Sequence, residues 1–167
     1  MDASLHIGKE ALKFSSAHFT IFSASEAERL HGHNYHVQID LWGEIDAEGL
    51  IIDVSEVKAI VKALCDELDE RTLIPVDSPH LTIRDIEDDH LEIRFADRRY
   101  ALPRADCALL PVPNITIESL AQLLGERLCA ALRSHPRGSS VVRLRLGVEE
   151  SKGQMGLCEL KVDQTIR

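Results

Sequence analysis

The sequence predicts an α+β domain in which a four-stranded antiparallel sheet carries two helices on one face. Two observations lead to this fold class. Apolar and polar residues alternate along several segments, which is the period of a half-buried strand, and apolar residues recur at helical spacing along two others. The order along the chain is strand, strand, helix, helix, strand, strand. Such separate runs of strands and helices are typical of α+β folds.

The first half of the chain supplies two strands and one helix. Residues 5–14 are rich in strand-compatible side chains, and residues 34–42 alternate cleanly between apolar and polar. A turn is expected at residues 46–49. Ser55 is predicted to cap the first helix. The apolar stripe of that helix comprises Val57, Ile60, Val61, Leu64, Cys65 and Leu68.

The second half supplies one helix and two strands. Thr116 is the predicted cap of the second helix, and residues 135–138, His-Pro-Arg-Gly, are expected to end it. Alternation then predicts strands over residues 142–148 and 158–162. Residues 75–114, between the helices, are interpreted as an insertion with a hairpin around residues 96–98. The whole chain, residues 1–167, is predicted to be one domain.

Composition and charge exclude several classes of protein. The chain has 167 residues, with 28 acidic and 19 basic side chains and a net charge of −9. This length predicts one domain, and the acidic balance argues against nucleic acid or an anionic membrane as a partner. No apolar run approaches the ~20 residues of a membrane span, and the N-terminus lacks a signal-peptide layout. We therefore expect a cytoplasmic protein.

The four cysteines form no CxxC pair and are predicted to be small buried hydrophobes: Cys65, Cys107, Cys129 and Cys158.

Histidines are concentrated in the first quarter of the chain. His31 and His33 are two residues apart, so on a strand they lie on one side with Cα atoms roughly 6.6–6.8 Å apart. Imidazoles at that spacing can bind one zinc ion, and His18 can supply a third nitrogen. Three protein ligands would leave the open fourth position of a catalytic zinc site. Spacing alone does not decide between this zinc site and ordinary histidines that are packed or exposed at the surface. His36 is interpreted as a polar-face strand residue.

The residues around these histidines resemble the 6-pyruvoyltetrahydropterin synthase family, which includes 6-carboxytetrahydropterin synthase. The resemblance implies the tunnelling fold (T-fold), zinc bound by His18, His31 and His33, and a small-molecule pterin substrate. It also implies homo-oligomers, commonly hexamers, with active sites between subunits. The segments that carry it are residues 14–18 (FSSAH), 29–35 (RLHGHNY), 52–54 (IDV), 68–69 (LD), 114–118 (NITIE) and 150–151 (ES).

The chain departs from this family's pattern at two positions. Where the synthases have a cysteine four residues before the first histidine of His-Gly-His, this chain has Ala27, followed by Glu28. That arrangement resembles a variant class in which a glutamate replaces the cysteine. The class is associated with cleavage of dihydroneopterin triphosphate to 6-hydroxymethyl-7,8-dihydropterin. The second departure is Asp69-Glu70 in place of Asp-His. Without that histidine the residues that transfer the proton are not determined, and Asp69 and Glu70 are the candidates.

The resemblance and the chemistry together predict a zinc-dependent lyase acting on 7,8-dihydroneopterin triphosphate. Glu28 is the candidate base, provided that desolvation raises its pKa toward neutrality. Glu150 can accept two N–H bonds from a pterin. Thr116 and Glu118 fit a helix cap and a first-turn charge, and the resemblance implies a second role near the substrate. Candidate triphosphate ligands are Lys9, Lys13 and Arg71.

Two alternatives stay open at this point. The chain could be a 6-carboxy- or 6-pyruvoyltetrahydropterin synthase in which another residue replaces the missing cysteine. It could also be a non-catalytic pterin- or metal-binding protein, since both the cysteine and the histidine are absent. The acidic residues at 66, 67, 69 and 70 fit either a solvated face or pairing with a neighbouring subunit.

Overall fold

The computed structural model describes residues 3–136 and 138–162, and the following elements lie within those ranges. The described residues form ten strands, and two α-helices pack against the main sheet. The elements in chain order are β1 (Ala3–Ile7), β2 (Lys13–His18), β3 (His31–Gly43), α1 (Val54–Asp66), β4 (Arg71–Pro75), β5 (Thr82–Ile86), β6 (His90–Phe95), β7 (Arg98–Pro103), β8 (Cys107–Leu110), α2 (Ile117–Arg133), β9 (Val141–Ser151) and β10 (Gln154–Lys161).

The main sheet has seven strands in the order β10-β9-β3-β2-β4-β8, with β1 also paired to β3. The prediction of four antiparallel strands is wrong in number and in two pairings, because β2–β4 and β4–β8 are parallel. Strands β4 and β8 are short and lack strict alternation, so no period-two signal marks them. The predicted strand over residues 5–14 is two strands, because a turn at residues 8–12 separates β1 from β2.

Strand β3 explains how the sheet and the helices share one core. Its apolar side chains Tyr35, Val37, Ile39 and Leu41 are at most 1% exposed, and its intervening polar side chains lie on the opposite face. Both helices bury their apolar stripes in the same cluster as these four side chains. The two helices therefore cover one face of the sheet, as the α+β prediction required.

The helix ends show one error and one success of the sequence analysis. Asp53, not Ser55, caps α1, because its carboxylate accepts a hydrogen bond from the backbone N–H of Ser55 at 2.8 Å. Asp and Ser are both favoured caps, so pattern alone chose the wrong one of two nearby residues. Thr116 caps α2 as predicted, accepting from the N–H of Ser119 at 3.2 Å. In the predicted stop after α2, Arg137 lies outside the described residues.

The predicted insertion is structured. Strands β5, β6 and β7 form a separate three-stranded antiparallel sheet, here called the insert sheet. The predicted hairpin is confirmed as β6–β7, in which Phe95 pairs with Arg98. A second cluster of Ile74, Leu91, Ile93 and Cys107 packs beneath it. The insert sheet therefore shares a hydrophobic cluster with β4 and β8 of the main sheet.

Three of the four cysteines are buried as predicted, whereas Cys158 is only partly buried. Burial raises the pKa of the Cys65 thiol to about 12, and burial also raises the pKa of Cys107 and Cys158. These thiols are therefore protonated at neutral pH. None of the described helices is long and apolar enough to cross a membrane.

Candidate metal centre and active site

The three predicted histidine ligands come together where β2 ends and β3 begins. His18 pairs in register with His31, and His33 follows two residues later on the same side of β3. One ring nitrogen of each histidine lies within 4.8 Å of the others. The antiparallel pairing of β2 and β3 thus builds the cluster that the His-Gly-His spacing suggested.

The hydrogen bonds of these rings fit a metal ion. Nδ1 of His18 donates to the carbonyl oxygen of Ile115 at 3.2 Å, while its Nε2 is buried and has no hydrogen-bond partner among the described residues. Nδ1 of His31 lies 2.7 Å from the carbonyl oxygen of Arg29. Nε2 of His31 lies 2.9 Å from Nε2 of His33. Carbonyl acceptors that fix one ring nitrogen and leave the other for the metal are typical of zinc sites.

His18 is held in the neutral form that a metal requires. Burial and, to a lesser extent, the neighbouring His31 lower the pKa of His18 to about 4. Its side chain is therefore uncharged at neutral pH, with a lone pair on Nε2. An unpartnered buried nitrogen facing two further imidazoles fits zinc, which binds imidazole nitrogen at ~2.0–2.1 Å.

Glu28 lies beside this cluster in the loop between β2 and β3. Its backbone N–H donates to the carbonyl oxygen of Thr20 at 2.9 Å. Its carboxylate accepts from the N–H of Thr20 at 3.0 Å. Burial raises the pKa of Glu28, but the bonds from Thr20 and the charges of His31 and His18 outweigh it, so the pKa lies below its usual value. The condition that desolvation raise this pKa toward neutrality is not met, and Glu28 is an ionised base at neutral pH.

Glu150, on β9, also lies beside the cluster. Its Oε2 lies 4.0 Å from Nε2 of His33, and its Oε1 accepts from the side-chain amide of Gln154 at 2.7 Å. Tyr35 lies beneath the histidines, and its hydroxyl is buried with no partner among the described residues. Burial raises the pKa of Tyr35, and the charges of Glu150 and Glu28 raise it further. Both carboxylates therefore lie close enough to Tyr35 for their charges to act on it.

The segment before α2 is tied to the Glu28 loop by a residue to which the sequence assigned no role. The side chain of Asn114 accepts from the N–H of Ile21 at 3.0 Å and donates to the carbonyl oxygen of Ile21 at 2.8 Å. Thr116 uses its hydroxyl in the helix cap. Glu118 is exposed in the first turn. The structural roles predicted for Thr116 and Glu118 are thus present, while their roles toward substrate stay predictions.

Asp69 and Glu70 lie on a different part of the surface from Glu28. The carboxylate of Asp69 accepts from the N–H of Ser15 at 2.7 Å. Glu70 adopts a φ of 56°, in the left-handed region that favours glycine. Glu70 and His33 line the same open cavity of about 450 Å³. Within one chain, the contacts described for Asp69 and Glu70 do not include Glu28.

The charged residues near the end of α1 have partners inside the chain. Glu67 accepts from Arg127 at 2.7 Å and Asp66 pairs with Lys62. Of the candidate triphosphate ligands, Lys13 pairs with Glu10 at 2.7 Å. Arg71 donates to the carbonyl oxygen of Ala105 and lines the same cavity as Glu70. Arg71 therefore shares this cavity with His33, whereas Lys9 and Lys13 are not among the residues that line it.

Comparison with known proteins decides the family. The model of the 6-pyruvoyl tetrahydropterin synthase family matches residues 7–159. The chain belongs to this family. Among curated relatives, the "Putative 6-carboxy-5,6,7,8-tetrahydropterin synthase" of Methanocaldococcus jannaschii is 32% identical over 94% of this chain and 93% of its own length. The relative of the same name from Pyrococcus horikoshii is 30% identical over 83% of this chain and 80% of its own length.

Solved structures of this synthase family share the fold. The 6-pyruvoyl tetrahydropterin synthase of Plasmodium vivax superposes with a TM-score of 0.90 at 29% identity, covering 96% of this chain and 99% of its own. The Plasmodium falciparum enzyme has a TM-score of 0.87 at 27% identity, covering 96% of this chain and 98% of its own. Two further structures are of the P. vivax enzyme with a catalytic glutamate replaced by alanine or by cysteine. These neighbours confirm the T-fold that the sequence resemblance implied.

Proposed function

We propose that this chain is a zinc-dependent lyase that cleaves 7,8-dihydroneopterin triphosphate to 6-hydroxymethyl-7,8-dihydropterin. The observation that carries the proposal is the carboxylate of Glu28 beside the three histidines, at a site with no thiol. Cys65, Cys107 and Cys129 are buried in hydrophobic clusters, and Cys158 packs against the main core. The P. vivax enzyme, whose structure covers almost the whole of this chain, also has a catalytic glutamate.

His18, His31 and His33 would hold the zinc, as their nitrogens lie within 4.8 Å of one another and the Nε2 of His18 is unpartnered. When bound there, zinc supplies Lewis-acid chemistry toward oxygen atoms of a ligand. The carbonyl oxygens of Ile115 and Arg29 orient the rings of His18 and His31.

Glu28 supplies the proton transfer in this proposal. Its ionised carboxylate takes the proton from the C2′ hydroxyl of the substrate as the C1′–C2′ bond breaks. The bonding electrons move onto C1′, which is conjugated with the pterin ring, and C2′ becomes an aldehyde on the triphosphate fragment. Glu28 then returns the proton to C1′, so the cleavage consumes neither water nor an oxidant. Hydrogen bonds from Thr20 hold the carboxylate for both transfers.

Glu150 is the proposed ligand of the pterin ring. Its side chain is 17% exposed and lies 4.0 Å from His33. A carboxylate can accept two parallel N–H bonds from the pyrimidine edge of a pterin. We assign Thr116 and Glu118 to the wall of the same pocket, because Ile115, next to Thr116, contacts His18. Asp69 and Glu70 are proposed to complete the proton path.

A homo-oligomer is also part of the proposal. Among the described strands, β10 pairs only with β9 and β8 only with β4, so the main sheet has two open edges. Exposed apolar side chains lie near both edges, with Leu157 57% exposed on β10 and Leu109 42% exposed on β8. Open apolar edges are surfaces that proteins cover, and a neighbouring subunit could also bring Asp69 and Glu70 to the site. Light scattering of the purified chain measures the assembly.

The experiment is product identification. Zinc-loaded protein is incubated with 7,8-dihydroneopterin triphosphate, and the products are separated by chromatography. We expect 6-hydroxymethyl-7,8-dihydropterin from the natural chain. Glu28→Ala is expected to slow its formation by ~10²–10⁴-fold, the usual contribution of a general base, with zinc content unchanged. Glu26→Ala, an exposed glutamate of the same loop, is the control and should retain full activity.

Two outcomes would replace this function. A 6-carboxy or 6-pyruvoyl product would favour the synthase activity named for the curated relatives. Unchanged substrate with measurable binding would indicate a pterin-binding protein. Full turnover by Glu28→Ala with zinc bound would show that Glu28 is not the base.

A further inference from the structure

The loop that carries Glu28, residues 19–30, has little regular structure of its own. Among the described residues it contains a single isolated β-bridge, between Ile21 and Ala27. The Thr20–Glu28 hydrogen bonds connect the two sides of the loop. They fix Glu28 relative to Thr20, and the Asn114 bonds tie the start of the loop, at Ile21, to the segment before α2. What remains is the attachment of the Glu28 end of the loop.

The insert sheet supplies that attachment through Arg98. This residue opens β7, directly after the two-residue turn of the β6–β7 hairpin, and pairs with Phe95. Its guanidinium donates to the carbonyl oxygen of Glu28 through one Nη and to that of Ala27 through the other, the latter at 3.0 Å. The guanidinium also lies over the Phe95 ring, 5.7 Å from the ring centre. One side chain of the insert therefore forms hydrogen bonds with two consecutive backbone carbonyls, those of Ala27 and of the candidate base Glu28.

A hydrophobic cluster also joins the insert to the loop. Phe19 and Ile21 of the loop and Phe95 of the insert are all buried in it. Phe19 stacks on Tyr100 of β7, with ring centres 5.5 Å apart. The cluster holds the insert against the loop but does not fix the orientation of one relative to the other, since apolar contacts are non-directional. The two Arg98 hydrogen bonds add direction, because each specifies the position of one carbonyl oxygen.

We propose that Arg98 is a positioning residue for Glu28, an inference that rests on the function proposed above. The planar guanidinium presents several donors in a fixed fork, so it can bind two carbonyl oxygens at once, whereas a lysine ammonium is a flexible point charge. Among the described residues Arg98 has no ion pair with a carboxylate, so these carbonyl bonds are its polar contacts. The insert sheet thus contributes to the reaction by holding Glu28 in position.

The first test needs no substrate. Hydrogen exchange of residues 19–30 is measured by mass spectrometry on the metal-free protein. Arg98→Ala is expected to accelerate exchange of this segment about tenfold, since two hydrogen bonds are lost. Arg104→Ala is the matched control, because Arg104 belongs to the insert region but pairs with Asp85 and Asp89. Unchanged exchange in Arg98→Ala would overturn the proposal.

The second test is kinetic. Displacing a catalytic group by about 1 Å can cost about 100-fold in rate, so Arg98→Ala should lower kcat by about that factor while KM and zinc content stay unchanged. Arg98→Lys should lose less, because it keeps one donor. In a Glu28→Ala background, adding Arg98→Ala should produce no further loss, since Arg98 acts through Glu28. Independent, multiplicative losses would overturn the positioning role.

The two tests separate this proposal from the proposed function. If the natural chain forms no 6-hydroxymethyl product, the function fails, and hydrogen exchange alone decides whether Arg98 holds the Glu28 loop. If the product forms and Arg98→Ala leaves both exchange and kcat unchanged, the function stands and the role of Arg98 fails.

Discussion

At the scale of single residues, the Nε2 of His18 is the atom that most favours a metal centre. It is buried and has no hydrogen-bond partner within the described part of the chain, while the other nitrogen of the same ring is held by the carbonyl of Ile115. A buried polar atom without a partner costs about 1–3 kcal/mol. A metal ion shared with His31 and His33 would remove that cost, because it would bind the Nε2 of His18.

We predict that His18→Ala lowers zinc affinity by more than about 100-fold. Loss of an outer partner of a zinc ligand already costs ~10–100-fold, and this substitution removes a ligand itself. His36→Ala is the matched control, because His36 lies on β3 but on the opposite face, 3.9 Å from Glu10. Competition with a chromogenic chelator measures both affinities. Equal affinity in His18→Ala and the natural chain would contradict the three-histidine site.

How far sequence predicts this site depends on separation along the chain. His31 and His33 are neighbours on one strand, so their spacing alone placed them together. Glu28 was found because a motif includes it. Asn114 and Arg98 could not be assigned roles, because they contact the loop across 93 and 70 residues respectively. Such contacts follow from tertiary packing, which local patterns do not report.

At the scale of elements, one charged network joins three strands on the helix-free face of the sheet. Asp40 on β3 accepts from His6 on β1 at 2.7 Å and from Arg145 on β9 at 2.8 Å. Burial raises the pKa of Asp40, but the hydrogen bonds from His6 and Arg145 outweigh it and hold the pKa below its usual value of 3.8. This carboxylate therefore stabilises the pairing of β1, β3 and β9.

We predict that Asp40→Asn destabilises the protein by about 1 kcal/mol at neutral pH, the order expected for charged hydrogen bonds that are partly exposed. The folded pKa is lowered, so this stabilisation is complete above pH 3.8 and is lost as the pH falls through the lowered value. The difference between variant and natural chain should therefore shrink as the pH falls below 3.8. Urea unfolding at pH 7 and near pH 3 measures the decrease.

Asp66→Asn is the control for this experiment. Asp66 pairs with Lys62 on the exposed surface of α1, and exposed pairs contribute little. A change of only a few tenths of a kcal/mol is expected. If Asp40→Asn were equally mild at pH 7, the three-strand network would not stabilise the sheet.

Two of the strands that the sequence analysis missed, β4 and β8, share a physical cause. Both pair in parallel and have only four or five residues, and the last three residues of β4 are buried in succession. Buried parallel strands lack the apolar–polar alternation of half-buried ones. The alternation of β3 and β9 was visible because one face of each is polar. Periodicity thus predicts strands with two different faces and misses those without.

At the scale of the whole molecule, the candidate metal centre lies where several parts of the chain meet. Its three histidines come from β2 and β3, Ile115 orients His18 from the segment before α2, and the insert sheet holds the neighbouring loop through Arg98. An ion bound at this junction would stabilise the folded chain but not the unfolded one. Binding of that kind raises stability by mass action.

We therefore predict that zinc raises the melting temperature of the whole chain. At a free concentration of about 1,000 times its Kd, zinc adds about 4 kcal/mol. For a chain of 167 residues, each kcal/mol corresponds to about 2–4 °C, so the rise is about 10 °C. Calorimetry before and after chelation measures it. His36→Ala should show the full rise and His18→Ala little of it, because only the latter loses a ligand; equal rises in both variants would place the ion elsewhere.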